Sequence, residues 1–308
     1  MKPAFSVIFF TVGSGAGLGL FALLVLADLF GFGLGSGAIA GAGLFALALT
    51  AAGLMSSTLH LANPKNAWRA VSRFRTSWLS REGVFAIIFF PVALGYLVAV
   101  YLGADWSVRA ALGLAGVALA WTVIFCTGMI YACLKTIPQW RTALTPINYL
   151  ALAHFSGSLL LLVVAEATGA NRGPSLVLAL ELLVVAVVFK GIYFYRFRVT
   201  PGRHTLAGAL GSATIAAAKL LDAGHSHGTF LTREFGFSLA RAHAVNLRYV
   251  VLVAAFLVPL VALVVGVRGV TTIGLVALIS IAGLLVERWL FFAEAQHVVR
   301  LYHGQRRV

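Results

Sequence analysis

Residues 82–103 read EGVFAIIFFPVALGYLVAVYLG: one carboxylate, then 21 positions without a charge. That is long enough to carry a helix across a bilayer, which takes about 20 mostly apolar residues. Seven more stretches of the same kind lie at 5–29, 38–61, 109–134, 144–168, 174–195, 249–267 and 270–293. Gly, Pro or charge marks most of their ends. The expected fold is all-α, an integral membrane bundle of eight transmembrane helices in one domain over 1–308. Composition agrees: of 308 residues 61% are apolar and only 10% charged, with mean hydropathy +0.97. A soluble domain is about half apolar and about a quarter charged, so a soluble dehydrogenase or hydrolase does not fit. The first stretch exceeds a signal-peptide core of about 7–15 residues and is expected to stay in the mature chain.

Eight crossings put both termini on one side, here side A, with the loops 62–81, 135–143 and 196–248. Of 23 Lys and Arg, 20 belong to side A, leaving Arg109, Arg172 and Arg268 for side B. The positive-inside rule then predicts cytoplasmic termini. A net charge of +14 would suggest nucleic acid on a soluble protein; here it suggests anionic membrane lipid and no nucleic acid. The 196–248 loop is longer than a connection needs, which suits a docking surface for a cytoplasmic partner. Within it, 205–222 is expected to form a short helix. Phe235, Leu239 and His243, spaced i, i+4, i+8 among Arg233, Arg241 and Arg248, predict an interfacial amphipathic helix over 232–248.

Cofactor chemistry is scarce in this chain. Cys126 and Cys133 share one span, about 10 Å apart along a helix, too far for a disulfide. Two thiols do not hold an iron–sulfur cluster, which usually takes four. His154 is the single deeply placed imidazole besides His60, so a bis-histidine haem has no evident pair. The expectation is no haem, no iron–sulfur cluster and no metal site in this chain. Gly224-His225-Ser226-His227-Gly228 fits the nucleophile-elbow pattern formally, but there is no sheet to display it. No catalytic residue is expected.

Polar residues at membrane depth are costly and so informative. Asn63-Pro64 should end span two, placing His60 in its last turn, because a residue before proline avoids helical angles. Ser80 is a plausible N-cap of span three, with Glu82 in the first turn. The short loop between keeps both spans adjacent, so an imidazole and a carboxylate meet one membrane boundary. That pair suits a quinol, whose hydroxyls each need an acceptor as the proton leaves. Elsewhere, Gly13/Gly17, Gly15/Gly19 and Gly37/Gly41 predict close helix packing, and Pro91 and Pro259 should kink their spans. Lys190 is expected to snorkel to side A, and Glu181 to hydrogen-bond a neighbouring helix, with a place in a proton path as its alternative. Glu166, Glu181 and Lys190 also admit a secondary transporter, although no paired inverted halves are visible.

Lys2-Pro3-Ala4-Phe5-Ser6-Val7-Ile8-Phe9-Phe10-Thr11, the Gly-rich first span, His60-Leu61 with Pro64, and above all Arg75-Thr76-Ser77-Trp78-Leu79-Ser80-Arg81-Glu82 resemble the membrane-anchor subunit of the dimethyl sulfoxide reductase family. Phe230-Leu231-Thr232-Arg233-Glu234-Phe235-Gly236-Phe237 and the following Arg241 and His243 are similar to its late loop. The resemblance covers essentially the whole chain. It implies a non-catalytic anchor in the bacterial inner membrane, partnered by a molybdopterin catalytic subunit and a four-cluster iron–sulfur subunit. Such an anchor exchanges electrons with quinone, menaquinone or ubiquinone, without a haem. The family's quinol-site histidine and glutamate match His60 and Glu82; Arg75, Ser77 and Arg81 are expected to orient the headgroup or to shift the carboxylate pKa downward. Dimethyl sulfoxide reduction is the first reading. A sulfite-oxidising complex, sending electrons into quinone, is the alternative. The family's termini are placed outside, in conflict with the charge count here.

Overall fold

The computed structural model describes residues 3–59, 63–199, 204–211, 239–303, 305 and 307–308. Its helices are α1 (Phe5–Leu29), α2 (Ser36–Thr58), α3 (Trp78–Tyr101), α4 (Trp106–Ala132), α5 (Leu144–Thr168), α6 (Arg172–Val199), the single turn α7 (Leu206–Ala209), α8 (Leu239–Val251), α9 (Val258–Val264) and α10 (Val270–Ala293). A 3-10 segment, Pro64–Arg73, joins α2 to α3. Among the described residues eight stretches are long and apolar enough to cross a membrane, the seventh being His243–Val264. Every crossing expected from the sequence is present.

The bundle is built around α1, whose most apolar stretch is 89% buried. Its Gly- and Ala-rich middle leaves no bulk to hold neighbours off, so α2 and α5 close in from two sides. A Cβ on Gly53 of α2 would stand 2.5 Å from the Ser14 nitrogen, and one on Gly157 of α5 would stand 2.5 Å from the Gly19 carbonyl carbon. In lipid, where hydrophobic driving force between helices is absent, such contact area is what holds helices together. Phe21 fills the space beyond, edge-on to Phe89 and Tyr96 at 5.1 and 5.9 Å between centroids. A second core joins α5 and α6 to α9 and α10 through Phe155, Ala186, Leu263 and Ile273. Of the three small-residue pairs, Gly37/Gly41 plays no part: both face open space on the outer surface of α2.

Several boundaries differ from expectation, each for a local reason. α2 ends at Thr58, short of 61, because Ser57 and Thr58 turn their hydroxyls onto the carbonyls of Leu54 and Met55 while Ser56 donates to Ser6. Hydroxyls that compete for backbone partners loosen a helix end. α3 starts at Trp78, four residues before Glu82, since Ser77 and not Ser80 is the cap: its Oγ accepts from the Ser80 amide at 3.3 Å. Glu82 therefore lies in the second turn. Helix α4 gains a turn at its start and α6 extends at both ends. The helix foreseen over 205–222 shrinks to α7, stopped near Gly211 at φ +70°; residues 212–222 lie outside the described residues, as do Phe235 and the start of the 232–248 helix.

The seventh crossing contains a π-helical stretch, Leu252–Leu257, between α8 and α9. Pro259 explains it. Proline has no N–H to give the Ala255 carbonyl four residues back, and that carbonyl instead accepts from Ser280 of α10 at 2.9 Å. Gly283 allows the approach, since a Cβ there would lie 2.5 Å from the Ala255 nitrogen. After α10 the polypeptide returns over side A: Val298 donates to the Thr136 carbonyl, and the Gln296 amide to the Gln139 side chain.

Packing at α1 yields the first prediction. Gly157→Val should destabilise the bundle by about 3 kcal/mol or more through overpacking, whereas Gly41→Val should leave it unchanged. Thermal unfolding of the purified subunit in detergent checks both; equal behaviour of the two variants would contradict the central placement of α1.

Candidate functional site

Glu82 is the residue from which the site is built. It is buried at 4% exposure, about 6 Å below the side-A end of α3. Its carboxyl meets the Thr127 hydroxyl of α4, which also lies 3.0 Å from the Val123 carbonyl of its own helix. One hydroxyl hydrogen faces two acceptors. Thr127 was missed in the sequence, where a threonine inside an apolar run reads as an ordinary helix-backbonded side chain.

The other expected site residues frame this carboxyl unequally. Arg81 donates to the carbonyls of Phe74 and Arg75 at 3.0 and 2.9 Å and lies 4.2 Å over the Trp78 ring. It thereby folds the segment leaving the 3-10 turn back against the start of α3. Ser77 is the helix cap, and the Arg75 side chain is exposed. Trp78 meets Phe125 edge-on at 5.9 Å, and Phe74 meets Phe85 at 5.7 Å, so aromatic rings wall the corner. His60 lies outside the described residues.

What sets Glu82 apart is its company. Every other described carboxylate that is buried or half-buried has a cation, while Asp105 and Glu181 are exposed. Asp28 takes Arg109 at 2.9 Å together with the Tyr96 hydroxyl at 3.0 Å, and Glu166 takes Arg172 at 3.1 Å, both at side B. Glu294 takes Arg248 at 2.6 Å, and Glu287 takes both Lys190 and, at 3.2 Å, Arg288. Among the described residues Glu82 has a hydroxyl and no cation.

The Glu287 cluster corrects the sequence reading of Lys190. Its side chain does not snorkel; it is 1% exposed, turned inward to Glu287, because a buried carboxylate outweighs the reach to water. Rings surround it: Lys190 Nζ lies 4.3 Å from the Tyr193 centroid, and the Arg288 guanidinium 3.9 Å from that of Tyr149. Arg288 had counted only as topological charge. The Glu-Arg pair so close to the end of an apolar span was the available signal. Glu181 is the reverse case. It is exposed between Val177 and Val184 on the outer face of α6, with no hydrogen bond to a neighbouring helix among the described residues.

His154 is engaged at both ring nitrogens, accepting from the Trp121 indole at 2.8 Å and facing the Leu150 carbonyl at 2.8 Å. Cys126 and Cys133 are free thiols. No group of three or more His, Cys, Asp or Glu converges among the described residues.

Comparison with known proteins gives the class. Residues 1–293 match the family described as DMSO reductase anchor subunit (DmsC), and the protein belongs to that family. It is 34% identical to a sulfite dehydrogenase subunit of Allochromatium vinosum, over 98% of this chain and 99% of that protein. It is 26% identical to a subunit of the anaerobic dimethyl sulfoxide reductase of Escherichia coli, over 46% of this chain and 49% of that protein. The family comprises anchor subunits of oxidoreductase complexes, so the protein is one member of a molybdoenzyme assembly with catalytic and iron–sulfur subunits.

The ion cluster gives the second prediction. Breaking a buried pair from the carboxylate side leaves two cations facing each other, so Glu287→Gln should cost about 3–5 kcal/mol. Lys190→Met leaves Glu287 with Arg288 and should cost far less. Thermal melts of the two variants check the asymmetry, and equal losses would contradict it.

Proposed function

We propose that this protein binds quinone or quinol at the side-A corner formed by the end of α2 and the starts of α3 and the 3-10 segment, and passes electrons between it and the iron–sulfur partner. The observation that carries this reading is the buried, cation-free carboxyl of Glu82 beside a membrane face. The four other carboxylates held inside the bundle each take a cation; Glu82, with only a hydroxyl, can change protonation without breaking an ion pair. Thr127 suits either state of the group. With Glu82 ionised, the hydroxyl donates to it; with Glu82 protonated, the hydroxyl donates to Val123 and accepts from the carboxyl.

His60 is the proposed hydrogen-bond partner at one quinone oxygen, and Glu82 the proton acceptor and exit at the other. Ser77 and Arg81 act by fixing the start of α3, and Arg75 is the cation free to approach the headgroup. Oxidising a quinol releases two electrons to the partner's clusters and two protons; reducing a quinone runs both in reverse. The quinone, menaquinone or ubiquinone, is the only cofactor proposed for this subunit. The partner is proposed to be a four-cluster protein feeding or fed by a molybdopterin subunit.

For the substrate of the assembly, the full-length 34% identity to a sulfite dehydrogenase subunit favours a sulfite-oxidising complex, with electrons running into quinone. The family's namesake activity, dimethyl sulfoxide reduction with electrons drawn from quinol, is the second reading; it rests on the family description and on the partial match to the Escherichia coli protein. The charge asymmetry across the membrane supports cytoplasmic termini and hence catalytic subunits on the cytoplasmic face of the bacterial inner membrane.

Glu82→Gln and His60→Ala should each lower quinone-coupled turnover of the assembled complex by about 100-fold or more, the scale of a lost proton-transfer group. Turnover with an artificial dye, which bypasses the anchor, should persist. Unchanged quinone kinetics in both variants would remove the site.

A further inference from the structure

A second polar site lies between α1, α5 and α10. Thr11, Ser156, Tyr149 and Arg288 line a cavity of about 20 Å³, with apolar residues such as Val12 and Leu284 making up the rest of its wall. Its Tyr149 and Arg288 end lies about 8 Å below the side-A helix ends, counted along α5 and α10, close to the depth of Glu82. Tyr149 and Arg288 are 4% and 3% exposed. Among the described residues no well-aligned hydrogen bond reaches the Tyr149 hydroxyl, and the Arg288 guanidinium beside it lies 3.9 Å from the ring centroid.

Donors and acceptors in this cavity come in equal number. The Thr11 and Ser156 hydroxyls spend their hydrogens on the Ile8 and Ala153 carbonyls, at 3.0 Å each, and turn lone pairs outward. Tyr149 and Arg288 bring hydrogens. One water can donate to the first two and accept from the second two, and the volume admits one, since a cavity of about 10–15 Å³ suffices. A monatomic anion would meet two lone pairs it cannot use.

The surroundings suit proton movement through that water. Among the described residues Lys190, Arg288 and Arg248 face Glu287 and Glu294. The Arg288 charge against the Tyr149 ring favours a tyrosine that has briefly lost its proton. Tyr149 stacks on Tyr131 at 5.9 Å with planes 22° apart, and Tyr131 stands one turn along α4 from Thr127, the partner of Glu82. The cluster leads on to Glu294 and Arg248, where α10 ends at side A.

We propose that the cavity between Thr11, Ser156, Tyr149 and Arg288 holds a water that, with the Tyr149 hydroxyl, forms the proton route between Glu82 and side A. The proposal rests on the quinone reading of Glu82. In the oxidative direction Tyr149 gives its proton to the cavity water, which passes one on toward side A. Tyr149 is then reprotonated from the Glu82 side by way of Tyr131. No bond other than O–H is made or broken, and quinone reduction runs the same steps backward.

Tyr149→Phe removes the hydroxyl and keeps the ring beneath Arg288, so the bundle should assemble, with dye-driven turnover of the complex as the control. Quinone-coupled turnover should fall about tenfold, and its ratio of rates in H₂O and D₂O should rise, with binding of a quinone analogue unchanged. A map of the wild-type complex at water-resolving resolution should show density between Tyr149 and Arg288. Glu82→Gln is measured alongside. Wild-type quinone kinetics in Glu82→Gln would defeat the quinone reading itself. An inactive Glu82→Gln beside a Tyr149→Phe matching the wild type in rate and isotope effect would overturn the relay alone, as would an empty or ion-filled cavity.

Discussion

An ionised side chain inside a bilayer has no water to turn to, and the arrangement of this bundle follows from that constraint. Asp28 ties α1 to α3 and α4 through Tyr96 and Arg109. Glu166 joins α5 to the start of α6 through Arg172 and to the turn before α10 through the Gly269 amide. Glu287 binds α6 to α10 through Lys190. The Asp28–Arg109 and Glu166–Arg172 pairs cross between helices that also pack, so there charge neutralisation and helix pairing select the same geometry. Against that background a buried carboxyl with only a hydroxyl for company is an exception, and exceptions to a costly rule are where function is to be sought.

The backbone obeys the same rule. Pro259 deprives one carbonyl of its donor, and the crossing meets the loss with a π-helical stretch and a hydroxyl from α10. Close approach of helices makes such repairs possible. It depends on glycines such as Gly53, Gly157 and Gly283, where any side chain would meet backbone. Where the small residues face outward, as at Gly37 and Gly41, the same motif does nothing for packing.

Span number, span order and the greasy faces of the helices were legible in the sequence because hydropathy over about 20 residues reports directly on transfer from water to lipid. Boundaries were less so. The cap of α3 is decided by which of Ser77 and Ser80 has an extended backbone, and the end of α2 by a run of hydroxyls competing for carbonyls. Both are matters of local backbone geometry that a hydropathy window averages away. Glu82 was legible as a polar residue in a costly place, but Thr127 was not, since its partner is on another helix. Lys190 was misread for the same reason: a lysine near a span end reaches water unless a carboxylate from elsewhere in the sequence lies nearer, and Glu287 is 97 residues away.

The central claim is that the cation-free carboxyl of Glu82 marks where the diffusible carrier binds. A structure of the assembled complex with a quinone-site inhibitor bound tests it most directly. The account predicts the inhibitor's ring at the side-A corner, with one polar atom within hydrogen-bond distance of Glu82 and the nearest partner cluster facing it. A ring seated elsewhere in the bundle, with Glu82 still closed against Thr127, would contradict it.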